Sequence, residues 1–384
     1  MNETRINNLL KETNGVQGLV FKSPSHIGYL TNVLFPYPDQ SPFNIGLVTS
    51  AGKAVLIVPA EWKGVAEDQN WSDDILYYTI NEGSPSEAFC KAINKTIIKL
   101  NLNGKAIAVD YPSWTVAEIN RANILFQNSQ WSDCDKTIRQ LRMKKDQAEV
   151  DLLHQAAVIA DRGIIGALNH AEGTIGNAEY TLVEFLERVR VHAIEFGSSG
   201  IGHLNVSMGK QGRVWFTPVR DFSLLENGKF LRVVYTQEFH GYWNLCNRTF
   251  FIGLPRYSDD SAYRLHQNLI SLCLKELRAG IKISDFCSEV IQHAKALKVE
   301  LFNENEFGHG IGLSEVEWPL LTIDNPESFQ AGMVIVLDII SLGPNEELIQ
   351  STETILIEEN GYQRLSDFRD WDDLYCIVGC RTTH

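Results

Sequence analysis

The chain has 384 residues, 44% hydrophobic and 21% charged, which supplies a large core and excludes global disorder. That length suits two domains of unequal size. Lys and Arg number 34 against 48 Asp and Glu, a net charge of −14 that repels phosphate backbones and argues against nucleic acid as a partner. No apolar run approaches the length of a membrane span, so no membrane partner is expected. The N-terminus MNETRINNLLKETNG is polar and lacks an apolar signal core, so export is not expected. Seven widely spaced cysteines suit a reducing compartment, and the expected location is cytoplasmic. Cys376 and Cys380 have the spacing of half a zinc site, with no second pair to complete it.

The first third reads as alternating strands and helices. Gln17 to Phe21 is a short apolar strand broken by Ser23-Pro24-Ser25. Phe43 to Val48 and Ala54 to Val58 read as strands joined at Ser50-Ala51-Gly52, a hairpin signal. Helical periodicity over Ser86 to Leu100 aligns Phe89, Ile93 and Ile97. Ala106 to Val109 is a buried strand, and Ser113 to Leu125 a second helix. The basic segment Ile138 to Lys145 marks a change of character, and the spacing predicts a domain boundary close to it.

A long amphipathic helix follows over Asp146 to His170, with Val150, Leu153, Ala157, Ile164 and Leu168 as its apolar stripe. Another spans about Ala178 to Phe196. After Gly197 the pattern turns to strands: Phe230 to Phe239 and Tyr242 to Ile252 flank His240-Gly241 as a hairpin, and Met333 to Leu342 and Thr354 to Ile357 follow. A two-helix segment around Tyr263 to Leu297 repeats the helices-then-sheet order. Phe307 to Gly312 reads as a Gly/His loop, and it lacks the spacing of a dinucleotide fingerprint. Asp367 to His384 has no clear period.

Six fragments in order, HIGYLTNV, IRQLRMKKDQAEVDLLHQAA, GYWNLCNRTFFIG, GHGIGL, AGMVIVLD and TILIEENGY, resemble the pita-bread family of prolidase, aminopeptidase P, methionine aminopeptidase and creatinase. The resemblance implies an α/β (α+β) chain, with a creatinase-type N-terminal domain over 1–138 and a pita-bread domain over 139–384. It also implies a homodimer, with the proline-aromatic stretch Phe35 to Gln40 covering a partner's pocket.

Peptidases of that family hold two divalent metals on two Asp, one His and two Glu. Anchored on Asn247-Arg248-Thr249-Phe250, the Asp positions fall on Val234 and Leu245. The His falls on His309, and the Glu positions fall on Asp338 and Thr352, with Glu353 one register away. Val and Leu offer no lone pair, and a two-metal site needs carboxylates between its cations. No metal and no other cofactor is therefore expected, apart from a single weak ion on His309 and Asp338. Creatinase hydrolyses a C–N bond without metal, using a His whose position here is Phe216. Its substrate-gripping Glu positions fall on Asn247 and Thr352, and its Arg near Leu320, so creatine is not the expected substrate.

What survives is His309 with Asp338. Groups that would share a metal can hydrogen-bond directly once it is gone, giving an acid/base pair. His240 and Glu317 are further catalytic candidates, weighed against turn and structural roles. Strand alternation places Thr236, Trp243 and Asn247 with Val234 and Leu245, so these, Thr352 and Phe216 are the expected substrate-binding side chains. Cys246 is expected to point away, and His203, Arg213 and Arg220 are candidate anion anchors. The leading expectation is a metal-independent hydrolase acting on a C–N bond of a small nitrogenous compound. A catalytically silent binding or scaffold relative and an Xaa-Pro-type metallopeptidase stay open.

Overall fold

The computed structural model describes residues 3–13, 15–35, 44–50, 52–69, 71, 74–80, 83–125, 129–174, 180–210, 223–366 and 373–378. The proline-aromatic stretch from residue 36 onward, Phe216, Arg213, Arg220 and Cys380 lie outside them. The chain divides into two compact units, Met1–Arg142 and Met143–His384.

In the first unit, helices α1 (Glu3–Glu12), α2 (Pro24–Thr31), α3 (Val65–Asp68), α4 (Pro85–Lys99), α5 (Val116–Leu125) and α6 (Asp135–Met143) alternate with strands. The strands are β1 (Gly18–Phe21), β2 (Gly46–Ser50), β3 (Lys53–Pro59), β4 (Asp74–Tyr78), β5 (Ala106–Val109) and β6 (Gln130–Asp133), in the order β4-β3-β2-β1-β5-β6. The two apolar runs expected to form a hairpin do so: β2 and β3 pair antiparallel from Ser50 opposite Lys53. Local chemistry starts α4, where the Ser84 side chain accepts from Glu87 N–H and Pro85 opens the first turn. Its buried face of Phe89, Ile93 and Ile97 packs with Val20, Val48 and Ile107, each buried aliphatic contributing roughly 2 kcal/mol.

The second unit uses one plan twice. Helices α7 (Gln147–Thr174) and α8 (Leu182–Glu195) precede strands β7 (Gly200–Met208), β8 (Lys229–Phe239) and β9 (Tyr242–Ile252). Helices α9 (Tyr257–Glu276) and α10 (Ile283–Leu297) precede β10 (Glu306–Gly310), β11 (Glu317–Thr322), β12 (Val334–Leu342), β13 (Leu348–Glu358) and β14 (Gly361–Arg364). A short β15 (Cys376–Ile377) adds to β9 in parallel, which gives order to part of the tail that shows no sequence period. The sheets run β15-β9-β8-β7 and β11-β10-β12-β13-β14. A Thr181–Glu184 capping box starts α8. The apolar stripe of α7 splits between two cores: Ile164 and Leu168 pack under the first sheet, and Val150 and Leu153 against Val334 and Val336 of β12.

A seam of side chains joins β9 to β13. Thr249 Oγ1 donates to the Gln350 carbonyl at 3.0 Å and accepts the Gln350 N–H at 2.9 Å. Asn247 N–H donates to Thr352 Oγ1 at 2.8 Å, and the Arg248 guanidinium donates to the Thr352 carbonyl. These bonds satisfy groups that burial would otherwise leave costly, and they fix the two sheets as walls of one cleft.

One expectation is overturned here. The Gly/His segment is no loop: residues 306–310 form β10, paired to β11 on one side and β12 on the other. Its glycines answer neighbouring carbonyls. A Cβ on Gly308, which has φ +134°, would stand 1.9 Å from Val336 O, and one on Gly310 would stand 2.2 Å from Trp318 O. We expect Gly308→Ala to destabilise the protein by about 3 kcal/mol, through overlap and backbone strain together, read as a lower urea midpoint. Among the described residues, no helix is long and apolar enough to cross a membrane.

Candidate functional site

A cavity of about 510 Å³ lies between the two sheets of the second unit. Strand register sets its walls. Val234 faces Asn247, and Thr236 faces Leu245, across β8 and β9, so all four side chains share one face. From the other sheet come His309 and Asp338: His309 is opposite Val336, two residues before Asp338, so both project to the same side. All six line the cavity.

The Asp338 carboxylate sits inside an otherwise apolar run, Val334 to Ile340. The Gln350 amide donates to both of its oxygens, at 3.0 and 2.9 Å, and the Asn247 amide donates to Oδ1 at 3.3 Å. Gln350 is in turn held by Arg232, which donates to its Oε1 at 2.9 Å. Burial pushes the Asp338 carboxyl up to about 6, against the pull of the Gln350 and Asn247 amides and Arg232. Neutral amide dipoles therefore stand where a full positive charge would hold the carboxyl down.

His309 is not hydrogen-bonded to Asp338, contrary to the expected direct pair. Its Nδ1 bonds the Gly310 carbonyl at 2.8 Å. A carbonyl only accepts, so Nδ1 carries the proton and Nε2 keeps its lone pair. Burial lowers the His309 pKa, opposed by the Gly310 carbonyl and the charges of Glu306 and Glu317. The reason for the missing pair is competition: Gln350 and Asn247 reach the carboxylate, and the imidazole finds a carbonyl on its own strand.

The other expected residues separate. Thr236 lines the cavity and accepts the His203 N–H. Thr352 is buried at the seam: its hydroxyl accepts the Asn247 N–H and donates to the Leu245 carbonyl at 3.3 Å, so it positions the wall. Trp243 is not among the described lining residues; its ring lies near Thr236 and Glu315 around Gly202. His240 is exposed at the hairpin turn, with φ +48°, and its N–H donates to Ser199 Oγ; the tight turn carries it away from the cavity. Glu317 serves the framework: it accepts from Lys145 Nζ at 3.2 Å and from Ser314 N–H. Glu353 faces the far side toward Arg248 and Arg364. Cys246 points away, its thiol against Asp161. Among the polar lining residues, Glu306, Glu315 and Asn303 escaped the sequence reading as site members.

Lys145 and Glu317 form a buried ion pair, with side chains 1% and 7% exposed. Lys145→Ala should cost about 3 kcal/mol by leaving Glu317 without its cation. Adding Glu317→Gln should recover part of that loss in the same denaturation assay.

These donors do not fit a pair of divalent cations. Val234 and Leu245 present carbon, both Asp338 oxygens are engaged by Gln350, and the Thr352 hydroxyl is engaged at the seam. Among the described residues, no group of three or more His, Cys, Asp or Glu side chains is placed to hold a metal ion.

Comparison with known proteins places the chain. Residues 151–359 match the model of metallopeptidase family M24, and residues 4–144 match the creatinase/prolidase N-terminal domain. An uncharacterized peptidase of Staphylococcus haemolyticus is 26% identical over 360 residues, covering 90% of this chain and 93% of the relative. An X-Pro aminopeptidase from Thermotoga maritima superposes with a TM-score of 0.82 at 17% identity, covering 97% of this chain and 99% of that one. A Xaa-Pro dipeptidase from Bacillus anthracis superposes with a TM-score of 0.81 at 16% identity, covering 98% and 100%. At such identities the two structures show the fold, which is the expected α/β pita-bread arrangement. Because the M24 model spans more than half of the chain, this protein belongs to metallopeptidase family M24, with a creatinase/prolidase N-terminal domain.

Proposed function

We propose that this member of the family is a metal-independent hydrolase that cleaves a C–N bond of a small nitrogenous compound. The observation that carries the reading is one juxtaposition. Val234 and Leu245 put carbon where paired cations need oxygen, while His309 keeps an open Nε2 beside Asp338 in the same cavity. In this reading His309 Nε2 takes a proton from water as the oxygen attacks carbon. The C–O bond forms, the C–N bond breaks, and the departing nitrogen takes a proton from Asp338. The two act from either side of the substrate and not through a shared hydrogen bond. Asn247 and Thr236 supply polar contacts to substrate, and Leu245 supplies an apolar one.

The test is metal content and chelation. Purified protein should carry far less than one manganese, cobalt or zinc per chain, and turnover in a screen of small amides and ureido compounds should survive chelator. Near-stoichiometric metal with chelator-sensitive turnover would establish instead the second reading, an Xaa-Pro-type metallopeptidase, which the names of the two superposed structures favour. Ligand binding without turnover of any C–N compound would leave a silent binding relative. The six described cysteines are free thiols, which supports a cytoplasmic location. A homodimer is proposed from the family resemblance, and light scattering decides it.

A further inference from the structure

The same cavity carries a second set of groups that the hydrolytic reading does not use. Glu306 and Glu315 line it, and no Lys or Arg stands among its described lining residues. Neither carboxylate is ion-paired to a Lys or Arg among the described residues; the group whose charge faces Glu315 is the His203 imidazole, which lines the same cavity. Elsewhere in the second unit, carboxylates such as Glu317 and Glu353 face Lys or Arg.

Glu315 is also held in a definite place. Burial pushes its carboxyl up, against the pull of the His203 charge and the Thr236 hydroxyl. Glu315 Oε1 lies 2.1 Å, Thr236 Oγ1 2.7 Å and Trp243 Cζ3 2.7 Å from the point a Cβ on Gly202 would occupy. Carboxylate, hydroxyl and indole therefore converge on a spot kept open by the absence of a side chain at 202. Beyond this corner the wall is aliphatic, formed by Val234, Leu245 and Ile340.

We propose that the cavity takes an organic monocation with an apolar body. Its alkylammonium head is held by Glu315 and Glu306 beside the Trp243 ring, and its body lies on Val234, Leu245 and Ile340. This rests on the reading that the cavity is not a two-metal centre, and it names the substrate class for that reading. An anion is disfavoured by Glu306, Glu315 and Asp338, which line the cavity with His203 and His309, and by a chain charge of −14. A neutral ligand would desolvate two carboxylates with nothing in return. Two carboxylates beside an aliphatic wall, with the Trp243 ring near Glu315, suit an alkylammonium.

The test is calorimetric titration of the chelator-treated full chain with cyclohexylamine, cyclohexanol and cyclohexanecarboxylate, which share a ring and differ in charge. The amine should bind at least about tenfold more tightly than the alcohol, and the carboxylate most weakly. Glu315→Gln should weaken amine binding about tenfold or more and leave alcohol binding unchanged. Glu306→Gln, at an exposed position, should give a smaller loss in the same direction and carries the test if Glu315→Gln fails to fold. Equal binding of amine and alcohol, indifference to both substitutions, or displacement of the amine by equimolar manganese would overturn the proposal. Selective amine binding without turnover of any C–N compound would sink only the hydrolase reading. Metal-free turnover without preference for cations would sink only this one.

Discussion

His309→Ala should lower kcat/KM by about a thousandfold, with amine binding in the same cavity nearly unchanged. The imidazole reaches the cavity with its tautomer fixed, since Nδ1 is committed to the Gly310 carbonyl and Nε2 is left as acceptor. Truncation removes the proton acceptor and leaves Val234, Leu245 and Glu315 in place. His309→Gln is the sharper control: it restores polarity and bulk but no base, so turnover should stay low. The pH profile supplies the second readout. Burial lowers the His309 pKa below its ordinary 6.5, so the base is active at pH values above that lowered pKa. The acid limb of kcat/KM should therefore fall below the usual histidine range, and it should vanish in His309→Ala. A variant with unchanged turnover would remove His309 from the chemistry.

Much of this architecture was legible because burial writes period into sequence. The stripe Val150, Leu153, Ala157, Ile164 and Leu168 marked α7, and the runs around His240-Gly241 marked β8 and β9. Register then carried Val234, Thr236, Leu245 and Asn247 to one face, as alternation requires. What escaped depends on distant neighbours. Phe307 to Gly312 read as a loop because Gly308 and Gly310 are loop residues by default, yet both lie in β10 and are small because carbonyls of Val336 and Trp318 lie against them. The direct His309–Asp338 bond failed because Gln350, which pairs across from Ile340 next door to the Asp338–Thr352 pair, sends its amide to the carboxylate. A period of two counted back from Thr352 puts Gln350 on the same face, and that was the available signal. Glu315 lacked even this, since Ser314 to Glu317 alternates two acids and only the fold decides which enters the cavity. Glu317 went to Lys145 instead.

Asp338→Asn should abolish most turnover, also by about a thousandfold, while changing stability in a pH-dependent way that a catalytic role alone would not produce. The carboxyl titrates near 6 in the folded chain against an ordinary 3.8, mainly from burial. A raised acid pKa means the folded state holds its proton more tightly than the unfolded state. The resulting stabilisation is complete below the unfolded value and is lost as pH rises through the folded one. Above that, the native protein keeps a buried carboxylate balanced by the amides of Gln350 and Asn247 and by Arg232 through Gln350. The wild-type minus variant difference in unfolding free energy should thus move against the wild type by about 2 kcal/mol between roughly pH 4 and pH 7.5. Other titrating groups, His309 included, occur in both proteins and cancel in that difference. The same proton explains the loss of turnover: an acid near 6 donates to a leaving nitrogen only while protonated, so the descending limb of the wild-type rate should pass through about 6. With His309 moved down and Asp338 moved up, open base and protonated acid coexist on the acid side of neutrality. A flat stability difference across that range, or a rate that climbs steadily to alkaline pH, would show that Asp338 is charged throughout and is not the proton donor.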